Sequence, residues 1–281
     1  MTRAPVNRII DHSSVDGPGN RTVFFFQGCN FNCGYCHNPE TINMCINCGE
    51  CVPACPSGAL TIKENVVCFD PRKCRACDTC IKICKHNASP RIVFMTPEEG
   101  KKKLEQNRPF IRGVTVSGGE CSLYRDFVFE LFKYAKAMNL NTLMDSNGSY
   151  DFSKDPALME VCDGVMLDVK CADDAAHRAL TGRSNVQVMQ NLDFLASERK
   201  LEEVRTVVVP GALPSEETVR AVAAHLKPHW TAGMDVAYKL IRYRPMGVRA
   251  FYRDHATPND ALMESLKEIV VEAGCPRVIV I

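Results

Sequence analysis

The 281-residue chain has no long block of like charge, and its formal net charge is only +1 at pH 7. That balance argues against a basic surface for nucleic acid or anionic lipid. It also has no uninterrupted run of eighteen apolar residues, so no helix is expected to span a bilayer. The opening stretch, MTRAPVNRIIDHSSVDGPGN, lacks an apolar segment of signal-peptide length. The expectation is a cytoplasmic protein with no membrane and no nucleic-acid partner. The Gly-x-Gly-x-x-Gly fingerprint of dinucleotide-binding sheets is missing as well.

Cysteine, by contrast, is abundant. There are 16, and 11 of them lie between Cys29 and Cys80. A secreted disulfide framework spreads its cysteines through a small domain. Here they are concentrated in Cys-x-x-Cys units within a longer chain that is otherwise poor in them, a pattern of metal or cluster ligation.

Residues 41–88 hold nine cysteines and an internal repeat. CINCGECVPACPSGAL begins at Cys45 and CRACDTCIKICKHNAS at Cys74, and every cysteine of the first copy has a partner 29 residues on. Such coincidence marks a duplicated module. Each copy has the Cys-x2-Cys-x2-Cys-x3-Cys spacing of bacterial ferredoxins, with Pro56 after the first run and Lys85 after the second. In two-cluster ferredoxins the fourth cysteine crosses to the other cluster. One [4Fe–4S] site is therefore expected from Cys45, Cys48, Cys51 and Cys84, the other from Cys55, Cys74, Cys77 and Cys80. Zinc knuckles are the competing reading, but they use cysteine pairs separated by a longer loop. Cys68 is spare to both runs and is read as structural.

Outside the insert, strand candidates alternate with helical ones. The strands are 21–28, 113–118, 141–146, 164–170, 203–211 and 237–245, mostly continuous apolar runs, as parallel strands covered on both faces require. Helical spacing of apolar residues marks 122–139, 185–200, 215–228 and 258–273. Residues 277–281 can add an edge strand. Six β–α units imply an α/β fold, either a parallel barrel or an open doubly wound sheet. Its chemistry is expected at the carboxyl ends of the strands.

Motifs fall at those ends. GCNFNCGYC, holding Cys29, Cys33 and Cys36, follows the first strand; SGGE, DSNG and DVK follow or end the next three. Three thiolates on a four-iron cube leave one iron without a protein ligand, and an open coordination position admits substrate where a closed one serves structure. Gly118 and Gly119 allow close backbone approach, and Glu120 supplies a carboxylate for an ammonium group.

Cys-x3-Cys-x2-Cys with Tyr35 before the last cysteine resembles the radical S-adenosylmethionine (SAM) enzymes. The resemblance implies that the amino and carboxylate groups of SAM fill the vacant position, that one electron cleaves its sulfonium bond, and that Gly118, Gly119 and Glu120 contact the amino group. SVDGPGNRTVFFFQGCNFNCGYCHNPET, VTVSGGE, MDSNG, VMLDVK, HRALTGRSN and RTVVVPG together resemble the glycyl-radical-enzyme activases of the pyruvate formate-lyase activating enzyme family, particularly the YjjW type.

That likeness implies a partial (β/α)6 TIM-like barrel over 1–40 and 89–281, with a ferredoxin-like insert over 41–88. It implies a glycyl radical enzyme as protein substrate and reduced flavodoxin or ferredoxin as electron donor. It places Asp16, Gly17, Pro18 and Gly19 near the incoming glycyl loop, and Lys170 and Arg205 against SAM. It assigns Asp145, Ser146, Met166 and Asp168 to a monovalent cation. Arg244 stands where relatives have a cofactor-contacting histidine. His37 is placed to approach the cluster edge, and Cys121, Cys162, Cys171 and Cys275 are read as packed small residues. The alternative within the radical class is an enzyme acting on a small molecule.

Overall fold

A computed structural model describes residues 2–281. The chain divides into two compact units. The first runs to Asn30 and resumes over Asn38–Met138; the second comprises Phe31–His37 and Asn139–Ile281.

In the first unit, β1 (Ala4–Ser13) pairs antiparallel with β2 (Arg21–Phe26), Ile9 opposite Phe24. The insert contributes β3 (Leu60–Lys63) and β4 (Val66–Phe69), an antiparallel hairpin, and the single-turn helix α1 (Thr79–Lys82). Glu64 and Asn65 turn the hairpin, both at positive φ, as a tight primed turn requires. The strand β5 (Val93–Met95) pairs with the other side of β1.

Helix α2 (Pro97–Asn107) starts on a capping box between Thr96 and Glu99, with proline in its first turn. Strand β6 (Gly113–Gly118) runs parallel to β2, Phe24 beside Val116. Helix α3 (Arg125–Ala137) buries Phe127, Val128, Leu131, Phe132 and Ala135, the apolar stripe its spacing dictates.

The second unit is a parallel α/β array. Its strands are β7 (Asn141–Ser146), β8 (Gly164–Asp168), β9 (Leu201–Val208), β10 (Ala237–Arg242) and β11 (Arg277–Val280), each parallel to the next. Helices α4 (Pro156–Val161), α5 (Asp174–Thr181), α6 (Val186–Ser197), α7 (Ser215–Thr231) and α8 (Asp260–Glu272) connect them. Val165, Leu167, Val204, Val208 and Leu240 are fully buried along the strands.

The expected strands and helices are all present, and most strands stop two or three residues earlier than expected. β11 takes the edge position read from RVIVI. Strand β1 was not anticipated. Among the described residues no helix is long and apolar enough to cross a membrane.

Candidate functional site

In the second unit, the segment Phe31–His37 carries Cys33, Tyr35 and Cys36. It is tied to the end of α5 by Asn32 N–H donating to the Thr181 carbonyl (2.8 Å) and Gly34 N–H to the Leu180 carbonyl (3.0 Å). The Arg249 guanidinium clamps it from the other end of the chain, reaching Asn32 Oδ1 at 2.7 Å and the carbonyls of Asn32 and Cys33 at 2.9 and 2.6 Å. A Cβ on Gly34 would stand 2.2 Å from the Tyr252 ring, so no larger residue fits there. Burial pushes the Cys33 thiol up to about 11, with Lys170 pulling the other way.

Tyr35 packs among Leu180, Val209, Tyr243 and Val248, and its buried hydroxyl has no hydrogen-bond partner. Such a group costs about 1–3 kcal/mol unless something satisfies it. Burial holds the phenol well above its ordinary pKa, and Lys170 pulls it down. Lys170 Nζ lies 2.7 Å from Asp168 Oδ2 at the end of β8. Burial works against its charge, but Asp168, Tyr35 and Cys33 keep it protonated.

A polar row crosses the strands beside this group. Asp145 on β7 meets Arg205 Nη1 at 2.9 Å; Arg205 Nε meets Glu203 at 2.5 Å; and Glu203 meets Lys239 of β10 at 2.8 Å. Strand register sets it up, Asp168 lying opposite Arg205 and Asp145 opposite Met166. Arg205 Nη2 also reaches Met166 Sδ at 3.0 Å. Burial opposes the guanidinium charge; Asp145, Glu203 and Asp168 more than restore it. Ser146 is buried at the end of β7.

In the first unit, the end of β6 is stitched to the segment after β2. Gly119 N–H donates to the Phe26 carbonyl (2.9 Å) and Glu120 N–H to the Gly28 carbonyl (2.8 Å). Both glycines are obligatory. Gly118 has φ of 122°, and a Cβ on Gly119 would meet the Gly28 oxygen at 2.1 Å. Cys29 follows directly, its N–H donating to the Ile42 carbonyl at 2.8 Å. The buried Glu120 carboxylate accepts from Ser122 N–H at 3.1 Å. The Asp16–Gly19 loop is held by Thr115 Oγ1 donating to the Asp16 carbonyl (2.7 Å) and Arg21 to the Pro18 carbonyl (3.2 Å).

The sequence profile of the Radical SAM superfamily matches residues 23–222, which include the cysteine triad, Gly118–Glu120, Asp145, Asp168, Lys170 and Arg205. The chain belongs to the radical SAM superfamily. It is 30% identical, over 92% of its own length and 92% of the relative's, to the isethionate sulfite-lyase activating enzyme of Oleidesulfovibrio alaskensis. It is also 30% identical, over 99% of this chain and 97% of the relative, to the indoleacetate decarboxylase activating enzyme of Tractidigestivibacter scatoligenes. Among solved structures it resembles Streptococcus suis SuiB bound to precursor peptide SuiA in fold, with a TM-score of 0.59 and 13% identity over 92% of this chain and 47% of that one.

As a radical SAM protein the chain has SAM and a [4Fe–4S] cluster as its family cofactors. Its insert forms two further pockets. Cys45, Cys48, Cys51 and Cys84 line one, with Cys80 also bordering it; Cys55, Cys74, Cys77 and Cys80 line the other. Each pocket thus gathers one of the crossed sets expected from the repeat. Among the described residues no three His, Cys, Asp or Glu side chains form a single-ion site.

Cys68 lies on β4 opposite Thr61. Cys121, Cys162 and Cys171 are fully buried, and Cys275 is half-buried with Sγ 3.7 Å from the Val236 carbonyl. Arg244 presents its carbonyl to His37 Nε2 at 2.9 Å while its side chain faces solvent. Arg249 was missed by sequence reasoning. A lone arginine 217 positions from Asn32 leaves no local signal.

Proposed function

We propose that this radical SAM enzyme is a glycyl-radical-enzyme activating enzyme. The observation that carries the reading is its similarity, over most of the chain, to relatives named as activating enzymes, one of them as a putative glycyl-radical enzyme activating enzyme. Cys29, Cys33 and Cys36 would hold the family's [4Fe–4S] cluster, which, once reduced, would supply the electron for cleaving SAM so that hydrogen can be taken from a backbone glycine of the partner enzyme.

The residues divide the remaining work. Gly118 and Gly119 let the end of β6 close on the backbone of Phe26 and Gly28, which fixes Glu120 beside the start of the cysteine segment, and Glu120 pairs with the positive charge of a ligand's amino group. Tyr35 offers a buried hydroxyl to a polar ligand atom, which fits a nucleoside-bearing cofactor. Lys170 and Arg205 present fixed positive charge toward a carboxylate or ribose oxygen. The Asp16–Gly19 loop receives the partner's glycyl segment.

The insert pockets suit two more [4Fe–4S] clusters, because each gathers four thiols in the crossed ferredoxin order. Reduced flavodoxin or ferredoxin supplies electrons. The cation expected at Asp145, Ser146, Met166 and Asp168 fits less well. Arg205 and Lys170 already pair with the two carboxylates.

The test is to mix anaerobically purified, reduced protein and SAM with a glycyl radical enzyme encoded beside it. A doublet electron-spin signal from a glycyl radical is expected. SAM cleavage that turns over a small molecule and leaves no protein radical would contradict the reading.

A further inference from the structure

The two pockets of the insert repeat with the sequence. Cys45, Cys48, Gly49 and Cys51 line the first; their counterparts 29 residues on, Cys74, Cys77, Asp78 and Cys80, line the second. The crossed members Cys84 and Ala88 likewise match Cys55 and Ala59. The symmetry breaks in charge at one pair that faces inward. Gly49 and Asp78 share a left-handed backbone, with φ of 77° and 59°. Over Gly49 lies Ile62, its Cδ1 2.7 Å from where a Cβ would be. At the matching place in the second copy stands Arg91, its Nη2 2.8 Å from Asp78 Oδ1. An apolar contact in one copy is an ion pair in the other.

The pair is also polarised. The Arg91 side chain is 19% exposed and Asp78 is 52% exposed, so the cation is the inner member. Arg91 lines the second pocket. Arg75 borders the same pocket from the exposed rim. The first pocket has no matching inner cation: its lysine, Lys85, is 77% exposed and paired with Glu50 at 3.3 Å.

We infer that Arg91 makes the insert's two sites unequal, holding the one formed by Cys55, Cys74, Cys77 and Cys80 at the higher reduction potential. This rests on both pockets carrying [4Fe–4S] clusters. Reduction adds one electron, taken from a reduced flavodoxin or ferredoxin that is oxidised by one electron. No proton moves, because the guanidinium stays charged throughout. A fixed positive charge and N–H donors beside the sulfurs favour the reduced form, and both act more strongly away from water. Electrons entering the insert therefore come to rest at the second site.

The test is an electron-spin redox titration of the anaerobically purified full chain, with iron and sulfide counted in every sample. Arg91→Gln is expected to cut the reduced fraction of the higher-potential site about tenfold at a fixed potential, which for a one-electron couple is ~59 mV. Arg91→Lys should recover part of that. Asp78→Asn removes the opposing carboxylate while tolerating the left-handed turn, and should shift the same site in the opposite direction. It decides the matter if Arg91→Gln fails to assemble. Lys85→Gln should leave both potentials in place. Full iron content with an unmoved upper potential in Arg91→Gln, or in Asp78→Asn, overturns the inference alone. Wild-type protein with iron for the triad cluster only overturns the two-cluster reading and this inference with it.

Discussion

The insert and the parallel strands of the second unit are held together by different means. Between β3 and α1 the buried apolar material is little more than Leu60 with Cys51 and Cys80, flanked by half-buried Val67, Phe69 and Ile81. The second unit buries whole strands, with Val165, Leu167, Val204, Val208 and Leu240 at 0% exposure. With so small a core, this segment is expected to depend on the two clusters proposed for it, because metal bound at such a site adds its binding energy to folding. The second unit does not. On the proposed reading, one chain combines a region whose fold depends on its clusters with a region whose own packing holds its polar groups in place.

The sharpest way to separate the regions is Cys36→Ala. SAM cleavage should fall below detection, because the cluster proposed at Cys29, Cys33 and Cys36 would lose one of its three protein ligands. The insert's electron-spin signals should survive. Their disappearance would mean that the regions assemble as one.

Next in size is the response to an iron chelator. Hydrogen exchange should show amides of residues 45–84 losing protection while those of β8 and β9 keep theirs. Equal loss in both would break the comparison.

Arg249→Ala should be milder, since it removes charged hydrogen bonds to Asn32 and Cys33, worth about 1.5–3 kcal/mol in such settings. Lysine should not restore it, because the contact needs a planar fork. Thermal melting and SAM affinity should both register the change, and an insert signal that also changes would count against the account.

The smallest effect concerns His177, fully buried with Nδ1 2.8 Å from the Arg183 carbonyl. Burial lowers its folded pKa below the 6.5 of the unfolded chain. The unfolded state therefore takes the proton first on acidification. The stability this residue contributes is complete above 6.5 and is lost as pH falls through the folded value. Melting curves of His177→Asn should be flatter than wild type from neutral pH downward.

Much of this was legible in the residues. Continuous runs such as TVFFF and VTVSG announce strands buried on both faces, and the cysteine repeat shows its 29-residue register directly. What stayed hidden depends on contacts between distant segments. β1 reads as a polar leader because APVNRIIDHS mixes charge with apolar residues, and only its antiparallel partners β2 and β5 make it a strand. Gly34 looks like ordinary loop glycine until the Tyr252 ring is seen against it.

The central claim is that the Cys29, Cys33 and Cys36 cluster keeps one iron for an exogenous ligand. Mössbauer spectra of anaerobically isolated, isotope-enriched protein, recorded with and without SAM, address it most directly. The account predicts that a single iron of that cluster changes its parameters when SAM is added. Spectra that are identical in the two conditions, with every iron already in a full thiolate environment, would contradict it.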